Sequence, residues 1–409
     1  MCQHWNQYTV TGFRSARNFH VIQMCYIQRS LILFCLIALA AAAWWSIRLA
    51  RADAAFRQRT PEQVARAVEF APHNSQYLST LALQAEYTGQ DPTPLLEQLA
   101  AEHPRSSAPR IRLGLAAELR GEAQQAERWL QEAYSVDRQF ETRWTLANFY
   151  FRQGRSGDFW NWIRSALEIS YGDRAAAFDL CWQMTGDAQT ILNRAIPERR
   201  EVAGSYLIYV LQRHRSNAIA GAADLLAKIR TADDLPLLYA ATDALLETGQ
   251  GRAAENLWEA LGNARPRGVT HPDFEAPAIG HGFDWRLLET PGVTATRVAE
   301  FSGLRLRFSG RQPESCELVR QVIGGLRAGA RYALQWDSRT QDIASPTGLE
   351  WRIGAQGAAI AASDAWSHGK LSFIPDSEQA TLVLTYRRPE GQARTEGQID
   401  LRRVTSSPE

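Results

Sequence analysis

The chain has 409 residues, 45% of them hydrophobic, and a formal net charge of +1. This length and apolar content support two folded cores, and the sequence lacks the basic runs that bind phosphate backbones. Two of the five cysteines precede an apolar segment near the start and one lies within it, which leaves no disulfide framework and no zinc-binding spacing. The composition therefore argues against a nucleic-acid partner and against a disulfide scaffold.

The first predicted element is a helix able to cross a membrane. Residues 31–47 carry no charge and are bracketed by Arg29 and Arg48. Trp44 and Trp45 lie near the end of this segment, where aromatic residues favour the membrane interface. A spanning helix needs at least about 17 residues, so the segment is long enough.

We expect residues 31–50 to remain as a single-pass signal anchor, because the apolar run exceeds the ~7 to 15 residues of a cleavable signal core. Residues 1–30 would then form a short cytoplasmic tail, with the rest of the chain on the periplasmic side of the cytoplasmic membrane. A cleaved signal peptide is the alternative, since the alanines at 41–43 suit a peptidase. Translation from Met24 instead of Met1 would leave a shorter basic head.

The next region contains a periodic helical pattern. Gly89, Gly121 and Gly154 are spaced 32 and 33 residues apart, and each separates two segments of helical period. Residues 62–70 match the second helix of an earlier repeat. Large and small residues recur at corresponding positions around the last two glycines: Leu113, Gly114, Ala117, Ala126, Leu130 and Ala133, then Leu146, Ala147, Tyr150, Phe159, Ile163 and Ala166.

This pattern resembles the tetratricopeptide repeat. The resemblance implies an α-solenoid of helical hairpins over residues 54–265 that binds a protein partner in a concave groove. Trp144, Asn148 and Arg152 lie four residues apart on the first helix of the best repeat, so we predict that they line the groove. Alternatively, Trp144 packs on a neighbouring repeat and Arg152 is simply solvated.

After Pro266 the hydrophobic period changes from 3.6 to 2, and proline and glycine become frequent. In residues 304–308, for example, apolar residues alternate with arginines. The predicted strands cover residues 304–308, 332–337, 349–353, 371–374, 381–386 and 399–404. Strands at this spacing predict an antiparallel β-sandwich of the jelly-roll kind over residues 268–409.

Several motifs in this half lie in a recognisable order. They are His271-Pro272-Asp273-Phe274-Glu275 at the start, the segment 326–332, Trp366 before a strand, and Ile399-Asp400-Leu401 near the end. Together they are similar to carbohydrate-binding modules of the galactose-binding-like type. Phe274 and Glu275 match the usual opening of those modules, whereas His271 and Pro272 do not. The resemblance implies polysaccharide as a ligand.

The resemblance also implies two kinds of site. The candidates for stacking on sugar rings are Trp366, Trp351, Tyr386 and Trp336, with Asp337, Arg339, Glu350 and Arg352 as polar neighbours. Trp366 is the preferred candidate, whereas Trp336 shares a face with Leu334 and suits a core. A structural calcium ion would be held by Glu275 and Asp400, although these carboxylates would otherwise be solvated or hydrogen-bonded. No other cofactor is expected.

The motif Gly282-Phe283-Asp284-Trp285-Arg286 has two possible roles. We expect Asp284 and Arg286 to pair at a strand edge while Trp285 turns inward. The alternative is a polar cluster of His281, Asp284 and Arg286 at the rim of a ligand site.

The sequence predicts a scaffold rather than an enzyme, because it contains no His-Glu-x-x-His, no Gly-x-Ser-x-Gly and no phosphate-binding glycine loop. The first hypothesis is an envelope-anchored adaptor, whose repeats bind a protein while its β-sandwich contacts polysaccharide in exopolysaccharide or cell-envelope assembly. The alternative is a scaffold that binds proteins alone, with the sandwich capping the solenoid. A glycoside hydrolase is the least favoured class.

Overall fold

The computed structural model describes the backbone from Gly12 and the side chains from Arg29 to Glu409. The expectations about residues 1–28, including a start at Met24, lie outside the described side chains. The chain forms two compact units, divided between Arg155 and Ser156. The predicted solenoid is therefore shared between them, and each unit is described by itself.

The first unit is helical. Its helices are α1 (Gly12–Phe56), α2 (Pro61–Phe70), α3 (Ser75–Tyr87), α4 (Thr93–Glu102), α5 (Ala108–Leu119), α6 (Ala123–Val136) and α7 (Phe140–Arg152). Thr60 and Asn74 cap α2 and α3, and their side chains accept hydrogen bonds from backbone N–H groups of the first turn. These helices form the hairpins that the sequence predicts.

Helix α1 contains the apolar segment and also begins the solenoid. Between Arg29 and Phe56, α1 contains an apolar stretch of mean hydropathy 2.2 in which no residue is buried. The helix is long and apolar enough to cross a membrane, and an export signal near the N-terminus would have the same properties. Ala52 and Ala55 are buried in a cluster with α2, and Arg48 Nε donates to the Phe70 carbonyl at 2.6 Å. The end of α1 is thus the first helix of the first hairpin, and residues 62–70 lie on its second helix as predicted.

The periodic glycines each end a helix of the first unit. Gly89, Gly121 and Gly154 follow α3, α5 and α7, with φ of 72°, 81° and 68°. Glycine adopts this left-handed conformation without steric cost, so each helix ends there, and after Gly89 and Gly121 the chain reverses into the second helix of a hairpin. The interval seen in the sequence is therefore the length of one hairpin.

Gly114 allows α5 to approach α6 closely. A Cβ at this position would lie 2.7 Å from Leu130 Cδ2 and 3.2 Å from the Ala126 carbonyl oxygen. Leu130 and Ala126 are themselves buried. A side chain at position 114 would have to displace the second helix of its own hairpin.

The second unit begins with α8 (Ser156–Ile169), α9 (Ala175–Met184), α10 (Ala188–Arg194), α11 (Arg200–Gln212), α12 (Ser216–Ile229), α13 (Leu235–Glu247) and α14 (Gly251–Ala260). The strands are β1 (Arg286–Leu287), β2 (Val293–Val298), β3 (Gly303–Ser309), β4 (Ser315–Ile323), β5 (Tyr332–Gln341), β6 (Leu349–Ile353), β7 (Gln356–Ala359), β8 (Ser367–Phe373), β9 (Ala380–Arg387) and β10 (Glu396–Pro408).

The strands form two antiparallel five-stranded sheets. The first sheet has the order β1-β4-β9-β6-β7 and the second has the order β2-β3-β10-β5-β8. The predicted fold class, an apolar helix followed by helical hairpins and a β-sandwich, is confirmed. Six strands were predicted near their observed positions, whereas β1, β2, β4 and β7 were not predicted.

Three tryptophans meet in the core between the sheets. The ring of Trp351 lies 6.1 Å from that of Trp285 and 6.4 Å from that of Trp336. Gly369 is paired with Trp336 across β8 and β5, and a Cβ there would lie 2.2 Å from the Trp336 ring. The absence of a side chain at position 369 therefore makes room for Trp336.

The sandwich docks on the last helical hairpin through the Gly282–Arg286 motif. Phe283 packs edge-on against Trp258 of α14, with 6.0 Å between the ring centroids. Gly282 has φ of 57°, and a Cβ there would lie 2.5 Å from the Trp258 ring, so only glycine fits this contact. Asp243 of α13 accepts hydrogen bonds from the Gly282 N–H at 2.7 Å and from Arg286 Nη2 at 2.5 Å.

The expected Asp284–Arg286 pair is therefore wrong, and the alternative cluster is right for His281 and Arg286, which share Asp243 as their partner, but wrong for Asp284. Arg286 pairs with Asp243, while Asp284 is buried, lies 2.9 Å from His271 Nδ1 and accepts from the Ile279 N–H at 2.6 Å. Trp285 does turn into the core, as expected. The motif belongs to a contact between two domains, which a single sequence does not identify.

Substitution at Gly114 should lower stability, because a close contact between two helices would be overpacked. We expect Gly114→Leu to lower the free energy of unfolding by about 1 to 3 kcal/mol, and Gly114→Ala to lower it by less. Gly157→Ala on α8 is the matched control, since a Cβ there meets nothing within 4 Å. Thermal unfolding of the full chain in detergent, followed by circular dichroism, measures the difference. A Gly114→Leu protein that melts like the parent would show that this helix contact is wrongly assigned.

Candidate functional site

The outer face of the second sheet is a continuous polar surface. On β3, β10 and β5 the inward residues are apolar or small, whereas the outward residues are charged or polar. We call this surface the arginine face. Its charged members are Arg305, Arg307, Arg339, Arg402, Asp337 and Asp400, and the rings of Phe301 and Trp366 lie over it.

Asp400 is the centre of the arginine face. Arg305 donates from Nε and Nη2 to its two carboxylate oxygens at 2.7 and 2.9 Å, and Arg339 Nε donates at 2.8 Å. Burial raises the pKa of this carboxyl, but the hydrogen bonds and charges of the two arginines outweigh burial and hold the pKa below its ordinary value. Asp400 is thus an ionised carboxylate shared by three neighbouring strands.

Asp337 on β5 is a second carboxylate of the arginine face that is bound by neighbouring side chains. Its Oδ2 lies 3.3 Å from Nε of Arg402 and 3.3 Å from Nε of Arg403, and its Oδ1 lies 3.3 Å from His368 Nδ1. Both carboxylates of the face are therefore already occupied by cationic or ring nitrogen groups of the protein.

Trp366 is half-buried among guanidinium groups. The Arg402 and Arg339 guanidinium carbons lie 4.0 and 4.8 Å from its ring centroid, and Phe301 contacts it edge-on at 5.4 Å. Arginine stacks favourably on aromatic faces. The preferred sugar-stacking candidate therefore lies on an accessible polar surface, where it orients two arginines.

The other three stacking candidates are not at a surface. Trp336, Trp351 and Tyr386 are 2%, 0% and 0% exposed and belong to the core between the sheets. Their strands alternate, so each of these rings points inward with its apolar neighbours. Of the expected polar neighbours, Asp337 and Arg339 lie in the arginine face, whereas Glu350 and Arg352 form a pair on β6 of the other sheet. A sugar ring cannot reach the three buried aromatics.

The calcium expectation is wrong for Asp400. Two guanidinium groups already occupy its oxygens and supply the positive charge that a calcium ion would bring. Glu275 is exposed, and its backbone carbonyl accepts a hydrogen bond from Arg297. Among the residues that the structure describes, no group of three or more His, Cys, Asp or Glu side chains is arranged to hold a metal ion.

The predicted groove residues on α7 are engaged within the first unit. Arg152 donates two hydrogen bonds to Glu118 of α5, at 2.9 and 2.6 Å. Asn148 Nδ2 donates to the Trp144 carbonyl at 2.9 Å, and the Trp144 ring stacks on Phe140 at 6.1 Å. These contacts leave the groove prediction untested.

The same positions in the preceding hairpins carry exposed apolar side chains. The intervals of 33 and 32 residues relate Asn148 to Leu115 and Leu83, and Arg152 to Leu119 and Tyr87. The exposed fractions are 44% for Leu83, 84% for Tyr87, 37% for Leu115 and 90% for Leu119. We call these four residues the apolar column. Applying the repeat interval to the sequence would have found them.

A cavity of about 700 Å³ lies between the last hairpin and the sandwich. Its walls include the ion pairs Asp243–Arg286 and Arg252–Glu378, which join the two domains. The cavity is thus a gap beside the docking contacts, distinct from the arginine face.

No protein-family model and no curated protein matches this sequence. Three similar solved structures are the carbohydrate-binding module TmCBM61 in complex with β-1,4-galactotriose, a protein of Bacteroides thetaiotaomicron described as sugar-binding, and a protein of Podospora anserina described as a kinesin light chain with TPR-like repeats. The identities are 12%, 12% and 17%, and the TM-scores are 0.26, 0.24 and 0.23. The matches cover 35%, 35% and 47% of this chain, and 99%, 95% and 94% of the others.

Replacing Asp400 should destabilise the sandwich. Asp400→Asn leaves Arg305 and Arg339 without their counter-charge, and we expect it to lower the free energy of unfolding by about 1 to 3 kcal/mol. This is less than the loss for a fully enclosed ion pair, because both arginines are partly exposed. The folded pKa of Asp400 is lowered, so its contribution is present above the ordinary carboxyl pKa and is lost as the pH falls through the folded value.

The measurement is thermal unfolding of parent and Asp400→Asn proteins between pH 3 and pH 7. The difference in melting temperature should be largest near neutral pH and should shrink below about pH 4. Asp364→Asn, on an exposed loop residue, is the control. A difference that stays constant across this range would contradict the role of the Asp400 charge.

Proposed function

We propose that the protein is a non-enzymatic adaptor held at the cell envelope, whose β-sandwich contacts polysaccharide through the arginine face and whose helical hairpins bind a protein partner. The observation that carries the proposal is the arginine face itself. It combines the hydrogen-bond donors of four arginines, of which Arg307 is exposed and the other three are partly buried, with two aromatic rings on the outer face of a sheet. Recognition of an extended polar polymer needs such a surface more than it needs an enclosed pocket.

The geometry of the sheet supports binding without catalysis. A glycoside hydrolase needs a general acid and a second carboxyl group beside the scissile bond. On the arginine face, both aspartates are ion-paired with arginines, and the lowered pKa of Asp400 makes it unsuitable as a proton donor. The proposal therefore assigns no catalytic residues.

The apolar column supports a protein partner for the hairpins. Leu83, Tyr87, Leu115 and Leu119 lie at corresponding positions on the first helices of two hairpins, and such helices line the concave groove of helical solenoids. An exposed apolar row of this kind suits a peptide that offers apolar side chains. The Arg152–Glu118 pair continues the row with a polar contact.

A structural role as a cap is the second candidate, favoured by the contact between the sandwich and the last hairpin. Trp258 would be exposed without the sandwich, and terminal hairpins of solenoids need such a cover. The cap uses residues beside β1 of the first sheet, whereas the arginine face belongs to the second sheet. The two roles are therefore compatible in one protein.

The location of the adaptor follows from the apolar part of α1. Retained as a signal anchor, it would hold the chain in the cytoplasmic membrane with the bulk of it on the periplasmic side, where exopolysaccharide or cell-envelope polymers are assembled. Alkaline phosphatase fused after Glu409 should then be active, because this enzyme requires export. An inactive fusion, together with a fluorescent green fluorescent protein fusion at the same point, would contradict this topology.

Polysaccharide binding is tested by affinity electrophoresis of the full chain in a non-ionic detergent, through gels that contain neutral or acidic polysaccharides. We expect at least one polymer to retard the parent, and Trp366→Ala to reduce retardation because Arg339 and Arg402 lose the ring that orients them. Tyr171→Ala removes an exposed ring from the helical part and serves as the control.

No retardation by any polymer would remove the polysaccharide role. Equal retardation of the parent and Trp366→Ala proteins would leave sugar binding intact but would exclude Trp366 from the site.

A further inference from the structure

The arginine face has an excess of positive charge. Four arginines, at positions 305, 307, 339 and 402, oppose two aspartates and leave a formal charge of +2. Four further charged groups of the same sheet face, Lys370, Glu409, Arg403 and Glu396, sum to zero, and the exposed carboxylate of Glu300 lies beside the face and interacts with Arg305. Since the whole chain carries only +1, the charge of this face is a local feature.

The arginine face also has more hydrogen-bond donors without a partner than acceptors at its centre. Both oxygens of Asp400 and both oxygens of Asp337 have partners within the protein. Arg339 and Arg402 use Nε for these contacts, and within the described part of the chain their Nη atoms have no hydrogen-bond partner. At the centre of the face the unused capacity therefore consists of cationic donors, whereas the exposed carboxylates of Glu396, at the start of β10, and Glu300, just before β3, lie outside this centre.

Arg307 extends this array. It points outward from β3 two residues beyond Arg305, is exposed, and has no ion-pair partner among residues 29–409. Two residues along a strand correspond to about 6.6 Å, and neighbouring strands are about 4.8 Å apart. The guanidinium groups thus form a two-dimensional array, which fits a polymer with repeated negative charges better than a single small anion.

From this donor excess we infer that the ligand of the arginine face is an acidic polysaccharide, bound through its carboxylate or sulfate groups by Arg307, Arg339 and Arg402. The inference rests on the proposed function and adds the chemical class of the polymer. Guanidinium groups bind planar carboxylates in a two-point fork, and the contact of Arg402 and Arg339 with Trp366 restricts both side chains before the ligand arrives. Trp366 is a positioning residue in this account.

The test compares chemically matched polymers with the full chain in a non-ionic detergent. Polygalacturonate and its methyl ester share one backbone and differ in charge, and dextran sulfate and dextran form a second pair that distinguishes sulfate from carboxylate. We expect retardation by at least one charged member, none by its neutral counterpart, and a decline as salt is raised.

The variants separate the arginine face from general charge effects. Arg307→Gln should weaken binding about tenfold, the scale of one charge-assisted hydrogen bond, and Arg307→Gln combined with Arg402→Gln should abolish retardation. Because Arg307 has no carboxylate partner in the described residues, its loss should leave the melting temperature unchanged, so a failure to fold cannot explain lost binding. Arg352→Gln, which removes an exposed arginine from the first sheet, is the matched control.

Two outcomes would overturn the inference. Equal retardation by charged and neutral polymers would show that the ligand is not selected for charge, while polysaccharide binding itself would stand. Retardation that Arg307→Gln and Arg352→Gln reduce to the same extent would show a general charge effect. Absence of retardation by every polymer would instead remove the proposed function on which the inference rests.

Discussion

Asp243 and Trp258 hold the β-sandwich on the last helical hairpin, and the organisation of the second unit depends on this contact. Gly282 brings the backbone against the Trp258 ring, and Asp243 then binds both the Gly282 N–H and Arg286. The contact covers the apolar end of the helices, as an isolated hairpin would require. It involves residues beside an edge strand of the first sheet, so the outer face of the second sheet remains exposed.

That exposed face is ordered by one buried charge. Asp400 lies on β10 between β3 and β5, and the arginines that bind it come from both neighbours, so the three strands are joined on the outside as well as through their backbones. The alternation that points these polar residues outward also points Leu401 and Trp336 into the core. The register of these strands therefore determines both the packing of the core and the positions of the guanidinium groups on the outer face.

Periodic features were predictable from sequence, and partners distant along the chain were not. The glycine interval predicted the hairpins because each hairpin repeats the same local geometry, and Gly114 was identified by its place in that repeat. Asp400 lies 95 and 61 residues from its two arginines, a distance that no local pattern spans. Trp351 is a different case, because its alternation with Glu350 and Arg352 already indicates a ring that points into the core, in conflict with the sugar-stacking role that the family resemblance implies.

Helix α1 passes without interruption from its apolar segment into the first hairpin, where Arg48 and Ala52 fix it against α2. An α-helix turns by about 100° and rises by about 1.5 Å with each residue. With α1 in a membrane, the residue count between Trp45 and Ala52 therefore sets the height of the first hairpin above the bilayer. It also sets the direction, in the plane of the membrane, in which Tyr87 and Leu119 face. A flexible linker would leave this height and this direction variable, whereas a continuous helix in the membrane would fix both.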